Sequence, residues 1–224
     1  MKLLDKKEGI YLLDDDNLNF PTQDMMINDL VAIGGDFHPQ RIINAYTNGL
    51  FPWYIDEYNY IHWFSPQNRM VLFPDQFRLT KSLKRTLKNK GFIVKSNENF
   101  EAVINRCASI KRKDEDETWI TDPFISAYTN LYNLGYATSI ECYLDDVLVG
   151  GLYGLMIDDI FCGESMFSDV ADASKVAFYY LCQQAKENGI KLIDCQVHND
   201  HLESLGAKEI SREEYFCYLN KKNS

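Results

Sequence analysis

Six cysteines (Cys107, Cys142, Cys162, Cys182, Cys195 and Cys217) form no C-x-x-C pair, so the spacing of a zinc ribbon or a dithiol redox centre is missing. Histidine is scarce, with four in 224 residues. His198 and His201 stand beside Asp194 and Asp200, but His38 and His62 lie far upstream. A zinc site needs further ligands at a recognisable spacing, so these read as polar loop side chains and no metal is expected. No stretch approaches the roughly 18 consecutive apolar residues of a membrane span. The opening "MKLLDKKEGIYLLDDD" lacks the apolar core of a secretory signal. These absences point to a cytoplasmic protein whose thiols are mostly buried.

What is present is enough apolar material for a substantial core, 46% of the chain, in an acidic protein of formal net charge −10. Such a charge repels phosphates at long range, so its distribution decides whether a polyanion is a partner. From Met1 to Pro66 ten acidic side chains stand against four basic ones. From Gln76 to Asn97 there are seven Lys and Arg and no acid. Within that window "TKSLKRTLKNKG" has Thr80 as N-cap, Gly91 as stop, and Leu79, Leu83 and Leu87 as a buried stripe. Lys81, Lys84, Arg85 and Lys88 then share one helical face. A lysine-rich helix is usually only a solvated surface; one without any acid also suits a phosphate backbone.

Further along, Pro39 to Gly49 reads as a short helix and "DPFISAYTNLYNLG" as an amphipathic one. Thr138 to Phe167 carries β-favouring runs broken at Asp145-Asp146 and Asp158-Asp159, as in two hairpins. "DASKVAFYYLCQQAKENG" is a helix and "IKLIDCQV" a buried strand. The order βββαβ predicts an α/β or α+β mixed sheet with a helix across it.

Strand alternation puts Asp194 and Gln196 on one face and Cys195 on the other, which makes Cys195 a core residue rather than a nucleophile. The carboxylate and amide then form a pair at the end of a strand, where clefts open, or a purely structural hydrogen-bonded cluster. Glu164 in "CGESMFS" is an acid among apolar neighbours and requires a cation or hydrogen-bond donors. Leu152, Phe161, Met166 and Phe178 are compatible with plain core and with an apolar pocket. Trp53 and Trp119 are indoles in polar surroundings, suited to surface packing or to stacking an unpaired base, worth roughly 1–3 kcal/mol each.

The segments "AIGGDFHPQRIINAYTNGLFPWY", "ETWI", "GGLYG", "FCGESMFS", "ASK" and "LIDCQVHNDH" occur in the order of a known family. The chain resembles the bacterial leucyl/phenylalanyl-tRNA protein transferases from about Leu30 to Tyr218. That resemblance implies a small N-terminal domain, residues 1–66, and a domain similar to the GCN5-related N-acetyltransferases, residues 67–224. It implies an acyltransferase that moves Leu or Phe from aminoacyl-tRNA to the α-amino group of proteins with N-terminal Arg or Lys, marking them for N-degron degradation. Asp194 and Gln196 would be the catalytic pair, and Glu164 would serve acceptor recognition or site organisation. Leu152, Phe161, Met166 and Phe178 would hold the aminoacyl side chain. Trp53 and Trp119 would sandwich the terminal adenosine, and Lys81, Lys84, Arg85 and Lys88 would grip tRNA phosphates. No cofactor is expected, and a monomer is. The rival readings are an acetyl-CoA-dependent N-acetyltransferase and a non-catalytic RNA-binding module. Against the first, the loop before the main helix is "FSDVADAS", whose Asp169 and Asp172 repel a diphosphate.

Overall fold

The computed structural model describes residues 1–14, 16–110 and 118–219. The chain divides into two compact units, one comprising Met1–Arg69 with Glu209–Ser224, the other Met70–Lys208.

The first unit contains a five-stranded sheet that the acidic composition of this portion did not announce. Its strands are β1 (Lys2–Asp5), β2 (Ile10–Leu13), β3 (Leu30–Gly34), β4 (Phe51–Ile55) and β5 (Ile61–Phe64), in the spatial order β1-β2-β3-β5-β4. Helix α1 (Pro39–Thr47) starts at a proline and is capped by His38, whose ring nitrogen accepts from the Gln40 N–H at 3.2 Å. Trp63 is fully buried and its indole donates to the Gly34 carbonyl at 2.8 Å. Three buried arginines, Arg41, Arg69 and Arg212, complete the unit. Arg69 lies 4.8 Å and 4.6 Å from the ring centres of Phe51 and Tyr215. Arg212 donates to the carbonyls of Met26, Asn28 and Ser65. Its helix, α7 (Arg212–Leu219), is thereby tied into the unit at its first residue.

A seven-stranded mixed sheet has the order β12-β6-β11-β10-β9-β8-β7. Here β6 is Asn68–Leu72, β7 Ile93–Ser96, β8 Ala137–Leu144, β9 Val147–Ile157, β10 Ile160–Ser168, β11 Leu192–Gln196 and β12 Lys208–Ser211. The helices are α2 (Lys81–Asn89), α3 (Phe100–Ser109), α4 (Asp122–Asn133), α5 (Ala173–Glu187) and α6 (Asp200–Ser204). The βββαβ order read from the sequence is thus β8-β9-β10-α5-β11. Its first hairpin turns at Asp145 and Asp146, with φ of 50° and 62°, the pair of left-handed residues that a tight hairpin requires. Strand β11 joins β10 in parallel and β6 antiparallel, and the parallel pair needs the crossover through α5.

The buried core of this unit gathers Leu152, Phe161, Phe178, Val176, Leu181 and Ile193, among others. The "GGLYG" segment of β9 explains how the layers approach. A Cβ on Gly150 would lie 2.5 Å from the Ala173 Cβ, at the start of α5. A Cβ on Gly154 would lie 2.2 Å from the Cys162 carbonyl oxygen and 2.7 Å from the Phe161 ring. The backbone contact cannot relax by rotating a side chain, so Gly154→Ala should destabilise the protein by about 3 kcal/mol, at the upper end of ordinary overpacking. Guanidinium chloride unfolding measures this as a lowered midpoint.

Candidate functional site

The parallel pairing of β10 with β11 runs Ile160↔Leu192, Phe161↔Ile193, Cys162↔Asp194. Two residues beyond the last pair come Glu164 on one strand and Gln196 on the other, so equal offsets bring their side chains together at the strands' carboxyl ends, where ligand clefts open in such sheets. The Gln196 Nε2 donates to Glu164 Oε1 at 3.0 Å. Tyr128, from α4, donates its hydroxyl to Glu164 Oε2, also at 3.0 Å. Asp194 is fully buried, and its Oδ1 accepts from the backbone N–H of Gln196 at 2.9 Å.

Simple strand alternation does not describe this end of β11. The register against β6 shifts between Asp194 and Gln196, and Gln196 adopts φ +65°, in the left-handed region that a glutamine rarely occupies. The expectation of a pair on one pleated face is corrected accordingly. The Asp194 carboxylate turns back to hold the Gln196 backbone, and Gln196 projects from a strained residue after a bulge. Cys195, the residue left over by the register, packs against the core and its thiol donates weakly to the Ile193 carbonyl at 3.7 Å.

The amide of Gln196 can be oriented by chemistry alone. A carboxylate only accepts, so the atom facing Glu164 is the NH₂ group, and the carbonyl oxygen Oε1 is turned away from it as an acceptor. Glu164 is 8% exposed. Each of its oxygens accepts a hydrogen bond, which meets the sequence-level demand that this acid find donors.

Register breaks recur at the other expected positions. Between Gly163 and Ser165 the β10–β9 ladder shifts, leaving Glu164 out of it. Between Pro52 and Tyr54 the β4–β5 ladder shifts in the same way, leaving out Trp53. Trp53 is half-buried and leans edge-on against Phe64, with centroids 4.8 Å apart. Trp119, half-buried before α4, leans edge-on against Phe124 at 5.3 Å.

Leu152, Phe161, Phe178 and Met166 all belong to one packed cluster. The first three are within 3% of complete burial and Met166, cross-strand neighbour of Leu152, is half-buried. A groove of about 540 Å³ on the outer side of α3 and α4 is lined by polar residues such as Glu101, Asn105 and Asp122, and by none of these four.

Lys81, Lys84, Arg85 and Lys88 are all exposed on α2 while Leu83 is buried beneath them. Thr80 caps the helix, its side chain accepting from the Leu83 N–H at 3.1 Å. Thr86 anchors the same helix by donating to the Asp172 carboxylate at 2.8 Å. That bond, with Lys175 behind it, holds the Asp172 carboxyl below the usual carboxylate range. Asp172 sits at φ +73° before α5; the next two backbone N–H groups donate to the Val170 carbonyl and the Ser168 hydroxyl. The start of α5 is therefore closed by the chain's own acceptors.

His198 bonds Asp200 at 3.0 Å, and its ring, Asp200 and Glu203 bring ligand atoms within 4.8 Å of one another. All three are exposed, Asp200 and Glu203 on the short helix α6 and His198 in the loop before it. His201 is partly buried, and burial holds its imidazole below the ordinary value. Sequence reading did not single out Tyr128, which at four residues after Phe124 carries only the signature of a core aromatic.

The chain matches the family described as leucyl/phenylalanyl-tRNA protein transferase over residues 71–220, and the N-terminal domain of the same family over residues 35–67. A leucyl/phenylalanyl-tRNA–protein transferase of Flavobacterium johnsoniae is 49% identical over 193 residues, 86% of this chain and 91% of that protein. One from Dechloromonas aromatica is 49% identical over 204 residues, 90% of this chain and 87% of that protein. Among solved structures, a GCN5-related N-acetyltransferase from Kribbella flavida aligns with 65% of this chain and 55% of its own, at 14% identity and a TM-score of 0.42.

Proposed function

The chain belongs to the leucyl/phenylalanyl-tRNA protein transferase family and is an aminoacyltransferase, and we propose that it carries leucine or phenylalanine from tRNA to the α-amino group of proteins beginning with Arg or Lys. In this reading the product is marked for N-degron degradation, and the reaction belongs to the cytoplasm with one chain as the working unit. No described helix is long and apolar enough to cross a membrane.

An aminoacyl ester is already activated, so transfer requires a neutral amine held against the ester carbonyl and no covalent enzyme intermediate. An α-amine of pKa roughly 8 is about a tenth neutral at pH 7, whereas a carboxylate of ordinary pKa near 4 is a weak base towards ammonium. Gln196 Oε1 accepts a hydrogen bond from the attacking amine and aims its lone pair. The observation that carries this assignment is the amide orientation imposed by Glu164. Asp194 acts through the backbone of Gln196 and lends negative charge near the cationic nitrogen that forms. The leaving ribose oxygen takes its proton by way of the neighbouring tRNA hydroxyl. Leu152, Phe161, Phe178 and the flexible Met166 receive the aminoacyl side chain, where a methylene more or less changes binding by only about 1–3 kcal/mol, so both Leu and Phe are accepted. Trp53 in the one unit and Trp119 in the other are each suited to stack an unpaired tRNA base.

Lys81, Lys84, Arg85 and Lys88 hold tRNA phosphates, a local reversal of a −10 protein that makes binding salt-sensitive. The acetyl-CoA alternative loses support from the start of α5, where Asp172 repels a diphosphate and two N–H groups already have acceptors.

The deciding experiment follows radiolabelled leucine from charged tRNA to a peptide starting with Arg; no transfer, together with tight acetyl-CoA binding in calorimetry, overturns the reading. In that assay Asp194→Asn and Gln196→Glu should each lower kcat by about 10- to 100-fold with tRNA affinity kept within about twofold, as expected for lost alignment. Full activity in both removes the catalytic assignment. Lys84→Ala and Arg85→Ala should each weaken tRNA binding irrespective of sequence and reduce the slope of log affinity against log salt by about 1. A filter-binding salt titration reads this directly.

A further inference from the structure

Tyr128 is fully buried on α4, its ring stacked on Phe124 at 6.3 Å and set edge-on to Tyr153 at 5.8 Å. Two aromatic neighbours fix the ring, and the ring fixes the direction of the hydroxyl that donates to Glu164 Oε2. Glu164 in turn fixes the Gln196 amide through its other oxygen. We propose that Tyr128 is a positioning residue for aminoacyl transfer, which locks Glu164 so that the incoming amine meets the carbonyl oxygen of Gln196 rather than a carboxylate. The proposal rests on the assignment of Gln196 as the acceptor for that amine.

The physical reason is a competition for the amine. An ammonium group pairs more strongly with a carboxylate than with an amide oxygen, because a charge-assisted hydrogen bond is roughly twice as strong as a neutral one. A Glu164 free to rotate would hold the acceptor as ammonium, which has no lone pair to attack with. It would also release the amide that it orients. With one oxygen held by Tyr128 and the other by Gln196, the carboxylate has both a fixed plane and a diminished call on the amine. Tyr128 is fully buried, so in this proposal its effect on the reaction passes through Glu164.

Tyr128→Phe keeps both ring contacts and removes only the hydroxyl, so the variant should melt within a few degrees of wild type. Its kcat should fall about tenfold, the size of one lost hydrogen bond to a charged group, with KM for aminoacyl-tRNA unchanged. The acidic limb of its kcat profile at saturating acceptor peptide should move to higher pH, because the bound amine beside a freed Glu164 is then held as ammonium until higher pH. In a Glu164→Gln background the same change should cost nothing further, within twofold. A wild-type rate and an unmoved pH profile in Tyr128→Phe overturn the proposal, as does an undiminished loss in the Glu164→Gln background. If Tyr128→Phe is silent while Gln196→Glu is impaired, only the role of Tyr128 falls; if Gln196→Glu is itself fully active, the underlying assignment falls with it.

Discussion

Two buried carboxylates and the donors they require hold the rest of the site together. Asp194 and Glu164 sit on adjacent parallel strands almost without solvent, and a buried carboxylate without donors costs far more than any single contact nearby returns. Asp194 takes the backbone N–H of Gln196, and Glu164 takes that residue's side-chain amide and the Tyr128 hydroxyl. Gln196 is thus gripped at both ends, which stabilises a backbone conformation that glutamine otherwise avoids. A rigid amide oxygen beside a strand end suits a reaction whose main demand is alignment.

The sheet delivers these side chains by departing from its own regularity. In the seven-stranded sheet a ladder shift leaves Glu164 and Cys195 each outside the register, and in the latter case the strand is turned so that Gln196 leaves the pleat. A bulge re-aims one side chain while the flanking pairs keep their register, so the core beneath is undisturbed. Gly154 has the complementary part, allowing the Phe161 ring and the Cys162 carbonyl to come within a distance that any Cβ would block.

Electrostatics divides the surface along similar lines. An acidic protein presents seven basic residues and no acids between Gln76 and Asn97, and four of them share the exposed face of α2. That helix is fastened through Thr86 to Asp172, the residue that closes the start of α5. One carboxylate thereby does two things: it anchors the basic helix and stands at the start of α5.

Periodicity and side-chain chemistry were enough to read the βββαβ order, the hairpin at Asp145-Asp146, the Thr80 cap and the basic face, because each depends on neighbours within a few residues. They also marked Asp194, Gln196 and Glu164, since acids and amides at the ends of apolar runs need partners wherever they lie. The five-stranded sheet of the first unit escaped notice because its strands are only four or five residues long and pair across acidic turns. The bulges and Tyr128 were invisible for a different reason: a register shift is a relation between two strands, and a buried tyrosine on an amphipathic helix looks like core until the acid it bonds, 36 residues away in the chain, is set beside it. The sequence by itself determined which chemical groups would be present and which segments would carry them; only the tertiary structure decided which way each one points, because direction is set by strand pairing and burial between residues far apart along the chain.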